Sequence, residues 1–324
     1  MRPSALRAVF AVVLIVALVA FVHFMQPIGV TRWARAWLDA GHALVFGLVA
    51  LLALSVLLGL GLRGRSAYAA ALFATLALGL LSEWLQVGNP DRNPGLGDWL
   101  RDAGGAVVAL GFAGLLRRDL RSPAWGALTA LLAIACLAVM FGPLGALWLD
   151  YRARDAAFPV LCCQTGDWER RFLGHRHVDI EPAAPPGLVA AEGFQRLRFS
   201  LARWPGLKMA EVHPDWSGYD VLTFDIYAEV PPPVELVLRI DDFDYDGVSY
   251  ADRFNLDLWL EPGLNSFRVP IEDVLAAPAG RRMDPTRMAK IFLFANEPSV
   301  PFTLYWNGFR LETAKAGAVT AGVE

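Results

Sequence analysis

The chain has 324 residues, 55% of them apolar, a formal net charge of −3 and three cysteines. Charge divides it near residue 150: residues 1–149 hold 11 Arg and no Lys and come to +5, whereas residues 150–324 come to −8. The acidic second half argues against nucleic acid as a partner, and three cysteines give no disulfide framework.

Five apolar runs open the chain, about 5–25, 38–62, 67–87, 99–116 and 124–148. Each is long enough for a membrane helix, which takes roughly 17–25 residues. The first also reads as a signal peptide, with Arg2 and Arg7 before an apolar stretch and small residues near Ala20. Four further spans follow it with no secretory domain between them, which favours a retained span. Arg2, Arg7, Arg63, Arg65, Arg117, Arg118 and Arg121 fall on one side of the spans, and Arg32, Arg35, Arg92 and Arg101 on the other. The richer side is cytoplasmic. The N-terminus is therefore expected inside a bacterial inner membrane, and everything after Asp150 outside it.

Polar residues break these runs at one end only. Asp39 and His42 begin the second span, Glu83 and Gln86 end the third, Arg92 lies in the loop, and Asp98 and Asp102 begin the fourth. Ionisable groups at membrane depth are costly and usually face a partner or cavity. Glu83 with Gln86, and Asp98 with Asp102, each share a helix face, so the seven are expected to form one polar site at the outer leaflet. Gly105, Ala109 and Ala113 recur every four residues, a spacing that admits a neighbouring helix closely. Cys136 reads as packing.

Glu83-Trp-Leu-Gln86, Arg92, Asp98-Trp-Leu-Arg-Asp102, Gly104-Gly105, and Asp39 with His42 resemble the motif set of the VanZ-like membrane family over residues 5–120. Ala40 stands where that family has Lys, and Asp102 where it has Asn, which alters the charge balance of the site. The family is named for a link to teicoplanin resistance, and the resemblance implies no defined reaction.

Alternating runs follow residue 150, among them "VLTFDIYAEV", "VELVLRI", "KIFLFA" and "FTLYWNGFRLE", separated by turn signals such as Asp215-Trp-Ser-Gly218. They predict an all-β jelly-roll sandwich over 151–315, after a helical membrane bundle of about five transmembrane helices over 1–150, with 316–324 a disordered tail. "DWSGYDVLTFDIY", "LVLRIDD", "YADRFN" and "PGLNSFRVPIEDV" resemble the galactose-binding-like jelly rolls of carbohydrate-binding modules. Cys162 and Cys163 are adjacent and read as packing residues.

In "DDFDYDG", Asp241, Asp242, Asp244 and Asp246 crowd one turn. Arg253 occupies the twelfth position from Asp242, so this is not an EF-hand, but the four are candidate Ca²⁺ ligands; the alternative is a solvated acidic loop. Among aromatics able to stack on sugar, Tyr245 and Tyr250 bracket that loop and are expected to be exposed. With Asp252 and Arg253 they form the candidate ligand-binding set. Trp259 and Trp306 read as packing, and Trp216 and Tyr219 as further candidates. No nucleophile motif or metal-ligand histidine spacing occurs. Three readings follow: a cell-envelope protein that engages a glycan or glycolipid alongside membrane lipid; a membrane enzyme or transporter using Glu83, Arg92 and Asp98 on an anionic headgroup; or a scaffold or sensor whose jelly roll binds protein.

Overall fold

A computed structural model describes residues 3–24, 31–86, 96–117, 122–162, 166–188, 193–230, 232 and 235–313. Arg92, Cys163 and the expected tail at 316–324 lie outside them. The chain forms two compact units, residues 1–148 and 149–324.

The first unit is built from α1 (Pro3–Phe24), α2 (Arg32–Gly59), α3 (Gly64–Gln86), α4 (Leu96–Leu115) and α5 (Pro123–Ala157), the last running on into the second unit. Thr31 caps α2, its hydroxyl accepting the Ala34 N–H at 3.2 Å. Gly61, at φ +101°, turns the chain after it, and the Arg63 guanidinium covers the Leu58 carbonyl at 2.8 Å. Ser122 accepts the Trp125 N–H at 3.1 Å at the start of α5, with Pro123 as its first residue. Helices stand where the five apolar runs predict them, and among the described residues three are long and apolar enough to span a bilayer: Arg32–Gly59, Gly64–Leu85 and Pro123–Ala157. In α4 the first two turns carry Asp98, Arg101 and Asp102.

Gly105 explains how α2 meets α4. A Cβ there would stand 1.9 Å from the Ala43 carbonyl oxygen, and one on Gly47 would lie 3.2 Å from the Gly105 carbonyl and 3.4 Å from Ala109 Cβ. The small-residue stripe is thus a backbone-to-backbone crossing with α2, held by close van der Waals contact.

The second unit is a β-sandwich. Its strands are β1 (Val160–Cys162), β2 (Leu173–Arg176), β3 (Val178–Pro182), β4 (Gln195–Phe199), β5 (Gly206–Ala210), β6 (Val221–Ala228), β7 (Leu236–Asp242), β8 (Phe254–Leu258), β9 (Gly263–Pro270), β10 (Met288–Ala295), β11 (Phe302–Trp306) and β12 (Phe309–Glu312). The short helices α6 (Glu169–Phe172) and α7 (Ile271–Ala276) complete it. One sheet runs β1-β12-β6-β11-β4-β3 with β9 on the other side of β6; the second runs β2-β5-β10-β7-β8. All pairings are antiparallel.

Alternation builds the core. Leu222, Phe224, Ile226 and Ala228 of β6 turn inward to meet Ile291, Leu293 and Ala295 of β10 and Leu236, Leu238 and Ile240 of β7 in one cluster. The end of α5 joins it: Tyr151 packs edge-on to Phe172 at 5.1 Å, and Arg154 donates to the Glu211 carbonyl at 2.8 Å. Cys162 is disulfide-bonded and Cys136 is free. Cys162 is fully buried in the core cluster, in line with its reading as a packing residue, and is a bridge residue as well.

Candidate functional site

The outer face of the five-stranded sheet forms an open cleft of about 1090 Å³, just above the usual range for ligand sites, roughly 300–1,000 Å³. Register sets its floor. Lys208, Phe292, Arg239 and Asn255 lie side by side across β5, β10, β7 and β8. Two residues along, Arg176, Gly206, Phe294, Val237 and Asp257 form a second row. These are the residues left outward when their neighbours fill the core. A Cβ on Gly206 would strike Phe294 Cβ at 2.4 Å and the Leu293 carbonyl at 2.6 Å, so only glycine fits there and the floor beside Phe294 stays bare. From Lys290 to Asn296 the face extends roughly 20 Å, at about 3.3 Å per residue.

Cations and rings alternate along this floor. Arg239 lies over Phe292 at 4.6 Å and over Tyr245 at 5.1 Å, and Lys208 Nζ over Phe292 at 5.6 Å. Trp204 and Tyr250 stand at the rim, 51% and 67% exposed. Trp204 is fixed by its Nε1–H donating to Asn296 Oδ1 at 3.2 Å.

The "DDFDYDG" loop borders the cleft, and arginines neutralise most of its acids. Asp241 takes both arms of Arg239 at 2.7 Å. Asp242, with no side-chain exposure, takes two bonds from Arg281 at 2.6 and 2.8 Å, and Asp244 pairs with Arg287 at 3.0 Å. Asp246 instead accepts the Val248 and Ser249 N–H groups, each at 2.8 Å. Among the described residues no three His, Cys, Asp or Glu side chains are grouped to hold a metal ion. Crowding that would call for a cation is relieved here by guanidinium groups and backbone N–H.

Arg281 also bonds Asp252, whose other oxygen accepts the Asp246 N–H at 3.1 Å. The Arg281 bond, then the Asp246 N–H, hold the Asp252 carboxyl below the usual carboxylate range, and the two carboxylates raise Arg281. Of the four ligand residues nominated from sequence, Tyr250 and Arg253 line the cleft. Tyr245 packs beneath, its hydroxyl 3.3 Å from Arg253 Nη1, and Asp252 is a tether for the loop. Trp216 is fully buried, its Nε1–H donating to the His213 carbonyl at 2.8 Å. Trp306 is buried, as its strand position predicts, but Trp259 is 73% exposed just beyond β8, where alternation misreads the strand end.

In the helical unit, α2, α3 and α4 converge on Asp102. Its carboxylate is 3.2 Å from His42 Nδ1, with side-chain exposures of 3% and 14%. Its other oxygen lies 3.2 Å from where a Gly79 Cβ would be, and Trp99 Nε1–H donates to the Leu76 carbonyl at 3.3 Å. Arg101 pairs with Asp98, and the charges acting on Asp39 are Asp98, Arg101, His42 and Arg35. Asp39, His42, Asp98 and Asp102 are thus neighbours. Arg101 brings a cation to these acids that the sequence reading did not nominate, although a pair three apart on one helix was its readable signal; Arg92 lies outside the described residues. Glu83 is buried on α3, one turn beyond Gly79 on the same face. Gln86 ends α3.

No protein-family profile matches the chain, and no curated protein matches it, so the VanZ-like resemblance gains no support there. The β unit is similar to solved structures. One is a family 11 carbohydrate-binding module from Clostridium thermocellum in complex with a β-1,3-1,4-mixed-linked tetrasaccharide, at 12% identity, over 44% of this chain and 89% of that one, with a TM-score of 0.35. A family 30 carbohydrate-binding module of a Clostridium thermocellum cellulosomal cellulase is 15% identical, over 48% and 93%, with a TM-score of 0.31. An exo-β-agarase is 14% identical, over 48% of this chain and 25% of that one, at 0.38. At these scores the ligands of those proteins say nothing of this one.

Proposed function

We propose that this is a bacterial inner-membrane protein of five spans whose β-sandwich, on the extracytoplasmic side, binds an envelope glycan or glycolipid across its five-stranded sheet. The observation that carries this reading is the cleft floor: flat rings for sugar faces, interleaved with fixed donors and acceptors for hydroxyls, under two exposed rim aromatics. Concave sites of this composition suit polyhydroxylated ligands, because apolar rings take up the C–H faces while a few placed polar groups set orientation. Asp39, His42, Glu83, Gln86, Arg92, Asp98 and Asp102 then lie at the outer leaflet, where the lipid part of a glycolipid would be met.

Purified full-length protein in detergent, screened against neutral and charged envelope oligosaccharides, tests it. Binding is expected, and Trp204→Ala with Tyr250→Ala should reduce affinity at least about tenfold, two lost ring contacts, with unchanged melting. A bound glycan indifferent to both substitutions would refute the cleft assignment. Alkaline phosphatase fused after Glu312 should be active; an inactive fusion would refute the topology.

One observation favours a second reading, chemistry on an anionic lipid headgroup. The His42–Asp102 pair is an imidazole oriented by a carboxylate, the arrangement general bases use, and Arg101 stands close by as an anion contact. Asp102→Asn should then abolish turnover of a lipid substrate while the protein still folds.

A further inference from the structure

The guanidinium groups of the cleft are not equivalent. Arg239 is spent on Asp241. Arg253 and Arg176 pair with no carboxylate among the described residues. Arg253 stacks over Tyr250 at 5.0 Å and Tyr245 at 5.9 Å, and its Nη1 donates to the Tyr245 hydroxyl. Its Nε is buried with no acceptor. Two residues on, Asn255 Nδ2 donates to the Tyr250 carbonyl at 3.4 Å, while Asn255 Oδ1 is buried with no donor. Arg253 is extended just before β8, Asn255 lies within it, and both line the cleft. A donor lacking an acceptor and an acceptor lacking a donor thus belong to residues two apart in the cleft lining.

Buried polar atoms are nearly always satisfied, and the exceptions call for an explanation. Here the two deficits have opposite sign, and one of them belongs to a cation. The ligand group that answers both carries an anionic oxygen next to a hydroxyl. The planar guanidinium edge matches a carboxylate by two parallel bonds. Of the acids lining the cleft, Asp257 lies four residues beyond Arg253 on β8 and Glu235 just before β7; of those bordering it near Arg253, Asp252 is bonded to Arg281 and Asp241 to Arg239.

We propose that the glycan taken by this cleft is acidic: a uronate-bearing chain whose carboxylate docks on Arg253 and whose neighbouring hydroxyl donates to Asn255. This rests on the glycan reading above and narrows it to a ligand class.

The test uses full-length protein in detergent and oligomers of galacturonate, mannuronate and glucuronate, each beside its methyl ester. The ester keeps ring, linkage and hydroxyls and removes only the charge. At least one acid should bind about tenfold tighter than its ester, and Arg253→Leu should reduce that preference below about threefold. Arg253→Lys keeps the charge and the stem over Tyr250 but loses the fork. It should fold even where the Leu variant does not, and should lose about threefold or more of the preference. Acid and ester binding equally would overturn the inference and leave the glycan reading standing, as would binding of neutral chains alone. No binding of any glycan would overturn both.

Discussion

Arg281 holds the cleft's border in place, and removing it should be costly. Its two bonds to Asp242 reach a carboxylate with no side-chain exposure, while Arg281 itself is 26% exposed. Breaking a fully buried pair from one side costs about 3–5 kcal/mol, because the remaining charge is stranded. Partial exposure of the arginine reduces this to about 2–3 kcal/mol for the Asp242 arm of Arg281→Met. For a domain of this size each kcal/mol moves the melting temperature by about 2–4 °C, so a fall of about 4–12 °C is expected in the β unit, read by near-ultraviolet circular dichroism of the full chain in detergent. Adding Asp242→Asn in the Met background removes the stranded charge and should restore at least half of the loss. Arg282→Met removes an ion pair with Glu272 that is 52% and 70% exposed and should leave melting unchanged. The Asp252 arm adds a pH signature. Its carboxyl is depressed in the folded state, first by Arg281, so its contribution is full above the unfolded value near pH 4 and fades as pH falls through the lower folded value. The gap between wild type and Arg281→Met should therefore narrow below about pH 4. A shift under about 1 °C for Arg281→Met at neutral pH, or no recovery on adding Asp242→Asn, would refute this account of the loop.

Two further predictions concern the frame. Gly105→Ala drives a methyl group into the Ala43 carbonyl, which is backbone and cannot rotate away; it should destabilise the helical unit by at least about 1–3 kcal/mol, whereas Gly41→Ala, which meets nothing within 4 Å, should be neutral or slightly stabilising, both measured by thermal unfolding in detergent. Because arginines and backbone N–H groups already compensate the "DDFDYDG" acids, millimolar calcium against chelator should leave the melting of the β unit unchanged, and a rise of several degrees would show a cation site there.

Much of the fold is legible in the chain because periodicity and hydropathy encode it. The apolar runs mark α1 to α5, and inward Leu, Phe and Ile at alternate positions mark β6, β7 and β10. Hydropathy ends the fifth run at residue 148, yet α5 continues to Ala157. Its last turns bury Tyr151 against β-unit residues, a contact made by fold and not by composition. Short strands such as β1 and β2 have too few residues to show a period. The site was partly legible: Tyr250 and Arg253 stand out as an aromatic and a cation beside an acidic loop. Lys208, Arg239, Phe292 and Asn255 do not, because they are far apart in sequence and only strand register makes them one row. Similarly, Arg281 lies 39 residues beyond Asp242, so an acid cluster that suggests calcium when read alone is closed by a distant arginine.

Oxidative footprinting of the full chain, with and without a bound glycan, tests the central claim most directly. Trp204 and Tyr250 rim the cleft, and Trp259, 73% exposed, is an internal reference outside its lining. The cleft assignment predicts strong protection of Trp204 and Tyr250 with Trp259 unchanged. Protection of Trp259 alone, or binding with no protection at either rim aromatic, would contradict it.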